Sequence, residues 1–580
     1  MKAFFTSCLG SLVALITFTI LVIFLVAGLG AETQVEIMPN SVLSLKLNYP
    51  ITELELEDPI ANFFPEAADQ SMGLMQIKNA ISRAKTDDNI KGIYINSGSV
   101  GAGIATIDEI RSSLEDFKKS GKWVVAYSDY FSEGGYYLAS VADSIFLNPQ
   151  GNVELNGLAT EVMFFKKLFD KLDIKPQVFR VGEFKSAVEP FLRDNLSEEN
   201  KLQLNSLLSG IYNNMLSQMG ESRHIDANRL KEIAGKMEAR SAAQAESLSL
   251  VDGLLYEDQV HTYIKNQLGI DEDETIDFVK YSDYKKSYAK ETSSKNEVAV
   301  IVADGEILPG HSDQGVVGGA TIVEALRRAR NSSRVKAVVL RVNSPGGSAQ
   351  ASDDMWREVE LTSKVKPIIA SMSDYAASGG YYLAMGCDTI VAKPTTITGS
   401  IGVFMMIPDV SGFLGNKLGI TSEQVKTGEI GELLTVTRSL NDVEKGILQK
   451  QTEMIYETFT SKAADGRRMK VEDLKKIASG RVWTGEQAKE NGLVDVLGDF
   501  NDAVNIATAK AGIENDYVLR YYPKPKGIFE KYFGEKQEQV KNKKIKEALG
   551  GENALMFQQW KKVQRLQGAQ ARMPFEFTIN

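Results

Sequence analysis

The chain has 580 residues, 43% hydrophobic and 24% charged, an ordinary composition for a folded protein and, at about 150 residues per domain, long enough for more than one. Its net charge of −10 leaves no basic footprint for nucleic acid. Two cysteines, Cys8 and Cys387, and three mutually isolated histidines, His224, His261 and His311, offer neither metal-ligand spacing nor a disulfide within the body. No metal or other cofactor is expected.

The first 31 residues stand apart. No charge occurs between Lys2 and Glu32, a run longer than the ~20 residues that span a bilayer and long for the apolar part of a cleaved signal peptide. Residues 1–31 therefore read as a membrane anchor, although Ala27 to Ala31 also has the small residues of a cleavage site. Lys2 on one side, with Glu32 and Glu36 on the other, favours a cytoplasmic N-terminus and an exported body. Residues 32–70 read as an extended lead-in. Helical periodicity over Ile77–Ala84, an apolar strand at Ile90–Ile95, an amphipathic helix over Ile107–Phe117 and a strand at Trp123–Tyr127 follow. This alternation predicts an α/β layer with parallel strands.

The pattern then returns. Ile81–Lys91 lines up with Leu326–Lys336, Glu133–Ala139 with Ser378–Ala384 and Asp143 with Asp388, all at one offset of 245 residues. Gln244-Ala245 and Leu250–Asp252 are echoed by Gln487-Ala488 and Leu493–Asp495. The chain is thus read as two copies of one α/β domain, 32–270 and 296–513, with a charged join at 271–295. A charged tail, 514–580, reads as amphipathic helices on the body or membrane surface, or as a solvated charged helix.

The copies differ where chemistry would sit. In copy two an apolar run, Pro367–Met372, leads to Ser378 among Ala and Gly, and a helix-like run, Tyr381–Met385, leads away. A strand, tight turn and helix start would uncover the hydroxyl beside unpaired N–H groups. A packing turn of small residues is the plain alternative. Copy one has Glu133 there, but carries Lys185 in Val181–Ala187, where copy two reads Thr427–Leu433 without a lysine. A serine needs a base, and no histidine lies near these motifs. A lysine serves only when neutral, which takes burial strong enough to bring its pKa from about 10.4 to roughly 7–8. Phe184, Ala187 and Val188 around Lys185 suit burial, whereas most lysines stay at the surface. Gly346 and Gly347, in Asn343–Gly347, either aim N–H groups at an oxyanion or form an ordinary strand-to-helix turn. Ser400, in Thr398–Gly402, either orients the lysine or closes a turn. Gly101–Ala105 hints at a dinucleotide loop but lacks the final glycine.

On Phe184–Pro190, Asn343–Gly347, Tyr375–Tyr381 and Thr398–Val403, the chain resembles the bacterial signal peptide peptidase A family in its long, duplicated form, to about residue 510. The resemblance implies two tandem Clp-protease/crotonase-like α/β domains after an N-terminal transmembrane helix. It implies a serine endopeptidase anchored in the inner membrane of a bacterium, facing the periplasm, with a Ser/Lys dyad. Ser378 would be the nucleophile, Lys185 the general base and Ser400 the residue positioning the lysine, with Gly346 or Gly347 supplying oxyanion N–H. It implies leftover signal peptides and similar apolar peptides as substrates, and a homotetramer. An apolar pocket and a substrate bound as an added strand suit such peptides. The competing readings are a crotonase-type acyl-CoA enzyme, which needs no Ser378 with Lys185, and an inactive membrane scaffold.

Overall fold

The computed structural model describes residues 10–18, 35–55, 71–287, 294–313, 315–523 and 568–573. Residues 10–18 are helical, and among the described residues no helix is long and apolar enough to cross a membrane. The remainder of the expected anchor, 1–9 and 19–31, lies outside the described residues.

Apart from a two-residue pair, Ile51–Thr52 with Met72–Gly73, the strands of copy one are β1 (Ser41–Leu45), β2 (Ile90–Asn96), β3 (Trp123–Phe131), β4 (Ser144–Val153), β5 (Lys175–Val181), β6 (Gly253–Leu254) and β7 (Phe278–Lys280). All but β5 form one parallel sheet in the order β6-β4-β3-β2-β1-β7. Runs such as Ile93–Ile95 and Val124–Tyr127 are buried on both faces, as parallel strands under helices must be.

Copy two contributes β8 (Glu297–Asp304), β9 (Glu306–Leu308), β10 (Val316–Gly318), β11 (Val335–Ser344), β12 (Gly346–Ser348), β13 (Ile368–Ala377), β14 (Thr389–Ala392), β15 (Ile397–Gly399), β16 (Val403–Asp409) and β17 (Val482–Thr484); β18 (Val518–Tyr522) and β19 (Gln570–Arg572) follow. Its main sheet runs β17-β15-β13-β11-β8-β18, with β14 also paired to β13. The repeat reaches the helices. Leu74–Thr86 and Gly319–Asn331 each have 13 residues, Ile104–Lys118 and Ala349–Ser363 each have 15, and Glu198–Arg223 and Asp442–Arg467 each have 26.

Three segments differ from the sequence reading. The lead-in holds β1, an inner strand of the first sheet. The stretch read as a join holds β7 and the helix Tyr281–Ser287, whose Tyr281 and Tyr284 are buried; its charged composition conceals these apolar anchors. The tail supplies β18 to the edge of the second sheet and β19 to a third sheet, while 524–567 and 574–580 lie outside the described residues.

That third sheet joins the copies, in the order β10-β9-β12-β19-β16-β5. Copy one's β5 runs antiparallel to copy two's β16 along its length, from Val181↔Val403 to Lys175↔Asp409. A buried charge network ties the copies a second time. Arg341 on β11 reaches Glu53 Oε2 at 2.7 Å and Glu109 Oε1 at 2.6 Å, and donates to Ser371 Oγ and Ser373 Oγ on β13 at 2.9 Å each. Lys78 joins Glu109 to Asp499. Burial by itself would raise the Glu109 carboxyl, but the charges of Arg341 and Lys78 outweigh it and hold the group at about 2.

Candidate active site

Ser378 follows the last residue of β13 and precedes the short helix Gly379–Ala384. Its N–H donates to Gly399 O at 2.8 Å. Its backbone stands at φ 55°, ψ −109°, a region that costs a residue with a side chain on the order of 1–3 kcal/mol and persists only where the surroundings enforce it. A methyl group on Gly380 would come within 2.6 Å of Ser344 O, so this turn presses directly on the end of β11.

Lys185 follows β5 on a tight loop. Phe184 N–H donates to Ser479 O at 3.0 Å, and Lys185 N–H to Gly182 O at 3.2 Å. Gln203, buried in the helix Glu198–Arg223, grips the same loop by donating from Nε2 to Phe184 O at 3.1 Å and Ser186 Oγ at 2.8 Å. Because β5 pairs with β16, this copy-one loop lies over the copy-two turns.

The structure brings Lys185, Ser378 and Ser400 together, and all three are fully buried. Lys185 Nζ is 2.8 Å from Ser378 Oγ, 3.0 Å from Ser400 O and 3.1 Å from Ser400 Oγ. Burial pushes the lysine well below its ordinary 10.5. A neutral amine has two N–H groups and one lone pair. The two oxygens of Ser400 can take the N–H groups, which turns the lone pair toward the Ser378 hydroxyl.

Gly346 and Gly347, both at positive φ (97° and 154°), form β12 opposite the first turn of the Ser378 helix. A methyl group on Gly346 would sit 2.7 Å from Gly379 N, so β12 and the residue after Ser378 bound one small space. Strand β19, from the tail, lies between β12 and β16 at this place.

Sequence reasoning missed three contributors. Gly379, the residue after Ser378, brings its N–H against β12, and its place in Tyr375–Tyr381 does not by itself reveal that contact. Gly480 approaches Lys185 so closely that a methyl group would be 2.7 Å from both its N and its Cβ. Gln203 sits in mid-helix, where nothing in the local pattern distinguishes it. In copy one the place of Ser378 is taken by buried Glu133, whose Oε2 accepts the Gly157 N–H at 3.0 Å.

The profile of Peptidase family S49 matches residues 116–271 and 360–514, one stretch in each copy. The chain belongs to peptidase family S49. Protease 4 of Haemophilus influenzae is 36% identical over 466 residues, covering 78% of this chain and 75% of that protein. Protease 4 of Salmonella typhi is 38% identical over 466 residues, 79% and 75% respectively. The chloroplastic serine protease SPPA of Arabidopsis thaliana is 36% identical over 475 residues, 80% and 69%. These spans and the doubled S49 match identify a long, duplicated member, a serine-type peptidase with an α/β domain in each copy. The acyl-CoA reading falls away. Among solved structures, a ClpP1 mutant from Listeria monocytogenes covers 35% of this chain and 94% of its own at 14% identity and a TM-score of 0.24, at which the likeness decides nothing.

Proposed function

We propose that this S49 peptidase cleaves apolar peptides, including signal peptides left in the membrane, with Ser378 as nucleophile and neutral Lys185 as general base. The observation that carries the proposal is the buried 2.8 Å contact between Lys185 Nζ and Ser378 Oγ. Lys185 takes the hydroxyl proton as Ser378 attacks the peptide carbonyl, then delivers it to the departing amine. Backbone N–H groups at Gly347 and Gly379 stabilise the oxyanion, with Gly346 shaping the turn. Water, deprotonated by the same lysine, hydrolyses the acyl-enzyme. Ser400 keeps the amine oriented through both steps.

The place between β12 and β16, where β19 pairs antiparallel with both, suits a substrate bound as an extended strand. In this reading residues 1–31 anchor the protein in a bacterial inner membrane with the body on the periplasmic side, and the assembly is a homotetramer. Apolar peptides in the bilayer are then within reach of the cleft. The test is cleavage of an apolar signal peptide by the full chain in detergent, followed across pH beside Ser378→Ala and Lys185→Ala. Both variants are expected to lose activity, and the wild-type rate to rise with a midpoint well below 10.5. Undiminished cleavage by Ser378→Ala would overturn the nucleophile assignment.

A further inference from the structure

Two turns carry the main sheet of copy two into the third sheet, and their side chains hold each other. Asp304 ends β8, Asn343 lies opposite it on β11, and Gly305 N–H donates to Asn343 O at 2.9 Å. From here one turn leads to β9 and the other to β12, which pair at Ile307 and Gly347. Asn343 Nδ2 donates to Asp304 Oδ1 at 3.1 Å, while Asn343 Oδ1 accepts the Tyr375 N–H at 3.2 Å. A backbone N–H only donates, so Tyr375 fixes which way the Asn343 amide points and leaves its NH2 group for Asp304. Tyr375 stands in β13 where the register slips, from Val342↔Met372 to Ser344↔Ala376, shortly before Ser378. The Asn343 side chain thus fastens the strand that ends at Ser378 to the turn that delivers Gly346 and Gly347.

The charge around this bridge is unbalanced. Asp304 is half-buried and faces the Glu53 carboxylate of the lead-in and the Asp374 carboxylate on β13. Arg341 on β11, the cation acting on Asp374, is already engaged by Glu53 and by Glu109 of the helix Ile104–Lys118. Asp374 accepts the Thr106 N–H at 2.9 Å and the Thr106 hydroxyl at 2.6 Å. Burial first and the Glu53 charge next push the Asp304 carboxyl up to about 7, and burial raises Asp374 as well. Asp304 Oδ2 also accepts the Glu53 N–H, at 3.4 Å. Both contacts reach Asp304 as an acceptor, so a proton on the carboxyl removes the charge that strengthens them.

We propose that Asp304 and Asn343 are positioning residues for peptide hydrolysis: ionised Asp304 holds Asn343 so that β12 and the Ser378 turn keep their spacing, and a proton on Asp304 lets that spacing relax. This rests on Ser378, Lys185 and Gly347 acting as described above. Asp304 and Asn343 work through the backbone at Tyr375 and Gly347, and not on the reacting atoms.

The test is kcat of the full chain on an added apolar signal peptide, followed between about pH 6 and 8 beside Ser378→Ala and denaturant melts. In Asp304→Asn an amide oxygen accepts the Asn343 NH2 group at every pH. The ratio of wild-type to Asp304→Asn kcat should therefore fall about three- to tenfold as pH drops through about 7, a comparison in which the Lys185 titration cancels. Asn343→Asp sets two carboxylates side by side and should lower kcat about tenfold at about pH 8. Adding Asp304→Asn should restore it, because the bridge re-forms with donor and acceptor exchanged. A ratio that stays flat with pH, in an enzyme that Ser378→Ala inactivates, overturns this proposal and leaves the dyad standing. A loss in Asn343→Asp that the second substitution does not recover, in proteins that melt like wild type, overturns the bridge. If Asn343→Asp does not fold, the pH course of the Asp304→Asn ratio decides alone. Cleavage by Ser378→Ala overturns the dyad and this proposal with it.

Discussion

At the scale of single residues, the site is defined by how Lys185 is kept neutral. No carboxylate need be removed to free it; burial alone lowers it. Unfolding would return this amine to water and its ordinary 10.5, so between the lowered value and 10.5 the unfolded chain binds the extra proton. Stability contributed through Lys185 therefore rises with pH across that window. Comparing denaturant melts of wild type and Lys185→Met should show the difference moving in favour of wild type by about 1.4 kcal/mol per pH unit there. A pH-independent difference would mean that the amine is charged in the folded state. Ser400→Ala removes one of the two acceptors and leaves the Ser400 carbonyl. At about 0.5–1.5 kcal/mol for one hydrogen bond, kcat should fall by up to about tenfold with KM unchanged.

At the scale of elements, precision comes from backbone pressed against backbone. Gly480→Ala would set a methyl group 2.7 Å from the Lys185 backbone nitrogen at a position with φ 79°, so the lysine loop must move. The expected cost is about 1–3 kcal/mol in stability, together with a kcat loss far larger than any change in KM. Unchanged kcat with lowered stability would show that the loop tolerates the shift. The elements were largely legible in advance, because Ser378 stood between an apolar run and a helical one, and the common offset exposed the repeat. Lys185 and Ser400 were identifiable as types and positions, and it took the family resemblance to pair them, since their meeting depends on β5 crossing to β16. The pairing of β19 was not legible: Gln570–Arg572 has neither the length nor the apolar alternation of a strand, and its place is set by the gap it fills. Gln203 was hidden because a helix displays its sequence spacing and not which loop it holds.

At the scale of the whole molecule, Arg341, Glu53, Glu109, Lys78 and Asp499 couple the strands of the site to copy one. Removing one member leaves charge uncompensated in the interior. Glu109→Gln should cost about 3–5 kcal/mol in denaturant unfolding. Glu109 sits at about 2 when folded, below its ordinary 4.5, so its contribution is fully present above 4.5 and is lost as pH falls through 2. Asp304 is pushed up to about 7, by burial first and the Glu53 charge next, and gives the opposite slope between its ordinary 3.8 and 7. The Glu109 contribution is accordingly read as the difference between wild type and Glu109→Gln, which should shrink in acid; a constant difference would place the stabilisation elsewhere. The division of the site has a consequence in time. The ribosome finishes Lys185 long before it begins Ser378, and β5 has no β16 to pair with until the second copy emerges. On the exported reading proposed above, a half-made chain among nascent peptides holds a base with no nucleophile, so the enzyme is born harmless without needing a separate inhibitor during its own export.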